Sequence, residues 1–205
     1  MTKVAVVVGS LRKGSYSRMI AKAMCGLGPG MECEIVEIRA LALYDSDLEE
    51  GTPPAEWLAF RDRIRRSDAV LFVTPEYNRS VPGALKNAID VGSRPYGKSV
   101  WSGKPAAVVS VSPGALAAFG ANHHLRQTFV FLDMPAMQQP EAYVGGADKL
   151  FDEKGQLIVD STRAFLGKYR IAGTENTVFF KINIKLLFES FFYINLRQYS
   201  ESFFL

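Results

Sequence analysis

A chain of 205 residues with a net charge of +3 and 48% hydrophobic side chains can bury one complete core, with or without an extension. Lysine and arginine form no block, so nucleic-acid binding is not expected, and no apolar run reaches the roughly 18 residues of a spanning helix, so neither is stable membrane insertion. Cys25 and Cys33 are too few for a disulfide framework and no signal peptide is legible, which together point to a reducing, cytoplasmic setting.

Val4 to Val8 are almost continuous in Val and Ala, the pattern of a strand buried on both faces. The chain turns at Gly9, and from Arg18 to Leu27 the residues Met19, Ile20, Ala23, Met24 and Leu27 fall at helical spacing until Gly28-Pro29-Gly30 ends the pattern. Glu34 to Ile38 read as a second strand, followed by a loop holding Leu43, Tyr44, Asp45 and Asp47, and a helix from Pro54 to Arg66. Ala69 to Thr74 form a third buried strand, and Pro82 to Val91 a helix with proline near its first turn. Pro105 to Val111 are a fourth strand and Ala117 to Leu132 a long helix. A fifth strand lies within Met134 to Tyr143, where prolines interrupt it. Strand–helix units of this length imply an α/β fold, a parallel sheet with right-handed crossovers and helices on both faces.

In such a sheet, ligands bind beyond the carboxyl ends of the strands. Three loops lie there: Gly9 to Ser17 after the first strand, Pro75 to Ser80 after the third, and Ser112 to Gly120 after the fourth. The first combines hydroxyls, two basic residues and a helix N-terminus, the ingredients of an anion site. It is neither a nucleoside-triphosphate loop, because Ser15 and Tyr16 stand where Lys and Ser/Thr are required, nor a dinucleotide fingerprint, because Ser10, Leu11 and Arg12 follow Gly9. A single terminal phosphate suits it. Pro75-Glu76-Tyr77-Asn78 and Ser112-Pro113-Gly114 offer an aromatic ring, an amide and close backbone approach, suited to a flat heteroaromatic ring some distance from that phosphate. The combination suggests flavin mononucleotide, FMN.

GSLRKGSYS, TPEYNRSVPGALKNAID and SPGALAAFGANHHLRQ resemble the NADPH-dependent FMN reductase family, and the second is the most specific of the three. The likeness covers roughly residues 1–168. It implies a flavodoxin-like, doubly wound sheet of five parallel strands in the order 2-1-3-4-5. It also implies FMN as cofactor, NADPH or NADH as electron donor, and quinones, azo compounds, chromate or free flavin as small-molecule acceptors. By the same likeness Ser10, Arg12, Ser15, Tyr16 and Ser17 lie on the phosphate side of FMN, Ser17 standing where many relatives carry Asn. Pro75, Glu76, Tyr77 and Asn78 would border the isoalloxazine ring, and Ser112, Pro113 and Gly114 its far edge. Relatives are commonly homodimers or homotetramers. Apolar stripes at Leu125, Phe129 and Leu132, and at Val81, Leu85, Ile89 and Val91, are candidates for such an interface as well as for internal core.

No side chain is assigned a catalytic proton transfer, since the flavin would carry the chemistry. Glu76, as a loop carboxylate, reads as a backbone cap or a solvated group. His123 and His124 are adjacent on a helix, about 100° apart, and cannot chelate a metal together. Cys25 falls in an apolar stripe and reads as core. A flavodoxin-like electron carrier is the other functional class compatible with bound flavin. Strongly acidic docking surfaces mark such carriers, and this chain is slightly basic. From about Arg170 the pattern breaks down, and nine aromatic residues fall within positions 173–205. Their company of Phe, Lys, Ile, Asn, Leu and Tyr has the bias of a translated AT-rich frame. A frameshift, a membrane-surface helix and an oligomerisation segment are all open readings of residues 170–205, leaving 1–169 as the FMN-binding domain.

Overall fold

Strand β1 (Thr2–Val8) is an interior strand of the sheet in a computed structural model that describes residues 1–170, 172, 173 and 175. It pairs in parallel with β2 (Met31–Val36) on one side and β3 (Ala69–Thr74) on the other. β3 pairs with β4 (Ala106–Val111), which pairs with β5 (Ala142–Val144). All four pairings are parallel, and the order is 2-1-3-4-5 as expected. Every residue of β3 is buried, because helices cover both of its faces.

On one face, α1 (Tyr16–Gly26) and α6 (160–170) lie over Val4, Val6, Val8, Leu71 and Val73. The short helix α2 (Ser46–Glu50) leads on to the other face. There α3 (Ala55–Arg66), α4 (Gly83–Gly92) and α5 (Phe119–Phe131) lie over Ala5, Val7, Val70 and Phe72. Alternation along each strand thus divides the apolar residues between two cores. Arg61 ties three helices together. Buried beneath Trp57, it donates from Nε to the carbonyl of Val91 at 2.8 Å and forms an ion pair with Glu49. No helix among the described residues is long and apolar enough to cross a membrane.

Most element ends differ from the sequence reading by one or two residues, and some differences have a clear physical reason. β2 runs from Met31 to Val36, not Glu34 to Ile38, because its register starts at Thr2 opposite Met31. Ile38 is buried, but as a loop residue beneath α3, and periodicity cannot separate those cases. Asp45, expected in an open loop, caps α2 by accepting from the amide of Asp47 at 2.9 Å. The fifth strand lies later than expected. The chain first touches β4 around Ala136, where Ala106 donates to the carbonyl of Pro135 and accepts from the amide of Met137, then leaves it through Pro140, which has no N–H to give, and pairs again only at Ala142–Val144. Helix α5 starts two residues late because Ala117 and Ala118 are left-handed, with φ of 50° and 59°.

The stripes considered for an interface turn inward. Leu125, Phe129 and Leu132 are buried, as are Leu85, Ile89 and Val91, and Val81 packs against the same core. Cys25 is half-buried against the other core rather than enclosed by it. Arg170, where the family pattern was thought to fail, is buried and donates to the carbonyls of Pro29 and Met31. The readings of the aromatic tail lie outside the described residues.

Candidate active site

The three loops meet where β1, β3 and β4 end. At the first, Gly9 donates its amide to Val73 at 2.9 Å. A Cβ on Gly9 would lie 2.9 Å from Thr74 Oγ1 and 3.0 Å from Leu85, so only glycine lets this loop sit flush on β3. Ser10, Ser15 and Ser17 are all buried. Ser10 Oγ accepts from the Arg12 amide at 3.4 Å and Ser15 Oγ caps α1 by accepting from the Arg18 amide at 3.2 Å. Neither hydroxyl proton is committed to a protein acceptor among the described residues. The amides of Tyr16 and Ser17 stand in the first turn of α1, where a helix has no carbonyl to offer them. No carboxylate occupies that turn.

This set of hydroxyl and amide donors, with a positive helix terminus behind it, fits a terminal phosphate. Arg12 is exposed and lies 5.2 Å from the ring centre of Tyr16. Tyr16 itself stacks on Phe151, at 6.4 Å and 14°, so what it can offer a phosphate is its backbone amide rather than its hydroxyl. Arg39 holds the loop from outside through the carbonyl of Leu11.

The second loop is a tight turn. Tyr77 and Ser80 exchange both backbone hydrogen bonds at 3.0 Å, with Asn78 and Arg79 at φ of 52° and 62°. Two consecutive positive values are the mark of a type I′ turn, for which Asn is well suited. Tyr77 is half exposed at the tip. Glu76 is committed elsewhere. Its Oε2 accepts from the amide of Ala121 at 3.0 Å and its Oε1 pairs with Arg79 at 2.8 Å. The carboxylate therefore caps α5, whose own N-cap residue Ala118 supplies no side-chain acceptor. A Cβ at Gly120 would come within 2.9 Å of that same Oε2, which explains the glycine.

The third loop runs from β4 into α5. Ser112 Oγ accepts from the Gly114 amide at 3.0 Å, and Pro113 and Gly114 are exposed beside it. Beneath lies a polar network that pattern reading missed. Ser110 Oγ donates to the carbonyl of Ala117 at 2.8 Å, Asn122 reaches Ser110 and the carbonyl of Ala142, and Arg126 joins Asn122 to the carbonyl of Met137. The left-handed pair Ala117 and Ala118 is held by it. The clue was a buried Asn and Ser within otherwise apolar positions. Asn87 does similar work on α4, accepting from Tyr44 N and donating to the carbonyls of Leu41 and Ala42.

The two histidines diverge. Nδ1 of His124 meets Ser80 Oγ at 2.7 Å, tying α5 to the second loop, while Nε2 of His123 meets the Tyr143 hydroxyl at 2.9 Å. Phe119 completes an aromatic group with His123 and Tyr143. Burial, assisted by Glu141, pushes the Tyr143 phenol up to about 12, so it stays protonated through the neutral range.

The comparisons with known proteins identify the family. The model of the family described as NADPH-dependent FMN reductase matches residues 2–149. A quinone reductase of Pseudomonas putida is 68% identical over 164 residues, covering 80% of this chain and 88% of the relative. An NAD(P)H-dependent FMN reductase of Pseudomonas aeruginosa is 45% identical over 166 residues, covering 80% and 89%. Among solved structures, the flavoenzyme NAD(P)H:(acceptor) oxidoreductase FerB of Paracoccus denitrificans superposes with a TM-score of 0.80 at 39% identity, covering 85% of this chain and 96% of FerB. Matched by the family model over residues 2–149 and 68% identical to the P. putida enzyme over 164 residues, the chain belongs to the NADPH-dependent FMN reductase family.

Proposed function

We propose that this enzyme holds FMN across its three loops and reduces quinones with NADPH or NADH. As a member of its family it is an NAD(P)H-dependent flavin oxidoreductase. The assignment of quinone as acceptor rests on the similarity to the P. putida enzyme. The observation that carries the placement of FMN is the group of buried hydroxyls at Ser10, Ser15 and Ser17 beside the bare first turn of α1, the protons of Ser10 and Ser15 having no acceptor among the described residues. Bound there by its phosphate, FMN would supply the hydride acceptor and donor of the reaction.

The chain's own residues bind and orient. Ser10, Ser15, Ser17 and the amides of Tyr16 and Ser17 would grip the phosphate, with Arg12 adding charge. Pro75, Glu76, Tyr77 and Asn78 would bound the ring on one side, Glu76 by fixing the loop rather than by contact of its carboxylate. Ser112, Pro113 and Gly114 would bound its far edge. Among the described residues no buried, fixed set of polar groups surrounds the exposed Tyr77 and Pro113, so selection among acceptors should be loose. Azo compounds, chromate and free flavin are then further acceptors. Donor and acceptor would use the same open face in turn, a ping-pong order. A homodimer or homotetramer in the cytoplasm is part of the same reading, supported by Val130 and Phe131 standing 84% and 81% exposed on α5.

Purified protein mixed with NADPH and a benzoquinone tests the proposal. Expected are released FMN on chromatography, loss of nicotinamide absorbance, and parallel double-reciprocal lines. Bound flavin with no nicotinamide oxidation would favour an electron carrier, and intersecting lines would refute the shared face. Ser10→Ala with Arg12→Ala should weaken FMN retention at least about tenfold, since a hydrogen bond to a charged group contributes roughly 1.5–3 kcal/mol.

A further inference from the structure

Beside the phosphate loop, on the outer side of α1, lies a groove of about 460 Å³. One wall is α1 itself. The other is the turn at 152–157 with Arg163 of α6. That turn is a built element. Asp152 Oδ1 accepts from the amides of Lys154 and Gln156 at 2.9 and 2.8 Å, and Phe151 bridges to Leu157. Met19, Ala23, Leu27 and the buried Leu157 contribute the apolar part of a lining that is polar over more than half of its surface.

Its rim carries Lys13, Arg18, Lys22, Lys154 and Arg163 and no carboxylate. Two of the cations are engaged: Arg18 pairs with Glu37 at 2.7 Å, and Arg163 lies 3.8 Å from Asp160. The amines of Lys13, Lys22 and Lys154 have no carboxylate partner among the described residues. Arg18 and Lys22 stand one turn apart on α1, and Lys154 faces them across the groove. The volume falls within the roughly 300–1,000 Å³ usual for small-ligand sites, and the lining joins an apolar strip to several placed cations. A flat apolar body carrying more than one phosphate matches both parts. Inorganic phosphate would leave the strip uncovered, and a neutral base would leave the lysines unanswered.

We propose that this groove binds an adenosine phosphate, its base on the Met19–Leu157 strip and its phosphates on the Lys22 and Lys154 rim. The nucleotide has two possible sources. One is the 2′-phosphoadenosine half of the NADPH that reduces the flavin, since the groove opens at Lys13 and Ser15 onto the FMN phosphate loop. The other is a separate nucleotide. Only the first source rests on the function proposed above.

The test uses the FMN-loaded protein and its Lys22→Gln/Lys154→Gln variant, titrated calorimetrically at low salt with adenosine 2′,5′-bisphosphate. One saturable site is expected, at least about tenfold weaker in the variant and weakened by added salt, as contacts with exposed charges must be. Adenosine alone and inorganic phosphate should each bind more weakly than the bisphosphate. Absence of saturation, or equal affinity in parent and variant, overturns the proposal. A second arm separates the sources. If the bisphosphate competes with NADPH and the variant raises KM for NADPH but not for NADH at unchanged kcat, the groove serves the electron donor. If inhibition is absent or not competitive while the calorimetric site persists, the ligand is a separate nucleotide. Calorimetry needs no turnover, so its failure is distinct from a failure of the quinone-reductase reading.

Discussion

Removing the carboxylate of Glu76 should loosen the joint between two of the three loops. In Glu76→Ala the amide of Ala121 loses its acceptor at 3.0 Å, and Ala118 has no side chain to replace it. Loss of such a cap costs about 0.5–2 kcal/mol, and loss of a negative charge from a helix N-terminus roughly 0.3–1 kcal/mol more. The pair with Arg79 adds little, because Arg79 is 73% exposed and surface pairs contribute under about 1 kcal/mol. A total near 2 kcal/mol lowers Tm by about 4–8 °C in a domain of this size. Glu76→Gln keeps an oxygen for the Ala121 amide and should lose roughly half as much.

Circular dichroism gives Tm, and quenching of flavin fluorescence gives the FMN affinity, which should fall as the loop shifts. Gly120→Ala offers an independent route to the same defect, since its Cβ would lie 2.9 Å from Glu76 Oε2. Combined with Glu76→Ala, its effect should be markedly less than additive. A Glu76→Ala protein melting within about 1 °C of the parent would refute the capping argument. So would a loss of turnover beyond about 100-fold at unchanged Tm and FMN affinity, which would place Glu76 in the chemistry.

Arg61→Ala leaves the carboxylate of Glu49, only 10% exposed, without its ion-pair partner and should cost about 3 kcal/mol in urea unfolding, whereas loss of no more than about 1 kcal/mol would mean that the pair is replaced by water. Gly92→Ala places a methyl 2.5 Å from the ring of Trp101, so destabilisation of at least about 1–3 kcal/mol and a shifted tryptophan emission are expected; an unchanged melting curve would show that the ring moves freely. The Cys33 thiol is drawn down to about 7, first by its hydrogen bond with Cys25 and further by the charge of Arg170, with burial opposing, while Cys25 is pushed up. Thiolate at Cys33 therefore predominates above that pH and disappears below it, so iodoacetamide should label Cys33 with a midpoint near 7 and spare Cys25. Cys25→Ala should move the midpoint upward, and an unmoved midpoint would remove the hydrogen bond as the cause.

Much of the fold could be read from local pattern. Val4 to Val8 and Ala69 to Thr74 are apolar without alternation, and a strand with that pattern must be covered on both faces, which implies a parallel sheet between helices. The loop proposed to hold the phosphate is local in the same way: Ser10, Ser15 and Ser17 are close in sequence, and a hydroxyl at Ser15 caps the very helix whose first amides it leaves free. Chemistry and structure there share one short segment. What the sequence could not show depends on residues far apart in the chain. Glu76 meets Ala121 across 45 positions, and His124 meets Ser80 across 44. Neither partner carries a mark of the other: a backbone amide looks the same at every residue, and a Ser hydroxyl and an imidazole each have many possible partners. The apolar stripes of α4 and α5 showed which positions are buried but not by what, since water exclusion is equally satisfied by a sheet or by a second subunit. Only the folded chain decides between them, and here the sheet takes both stripes while Val130 and Phe131 remain exposed. Hydrophobic pattern is a property of the segment and survives in the sequence; direction, partner and loop geometry belong to contacts that close only when the whole chain has folded.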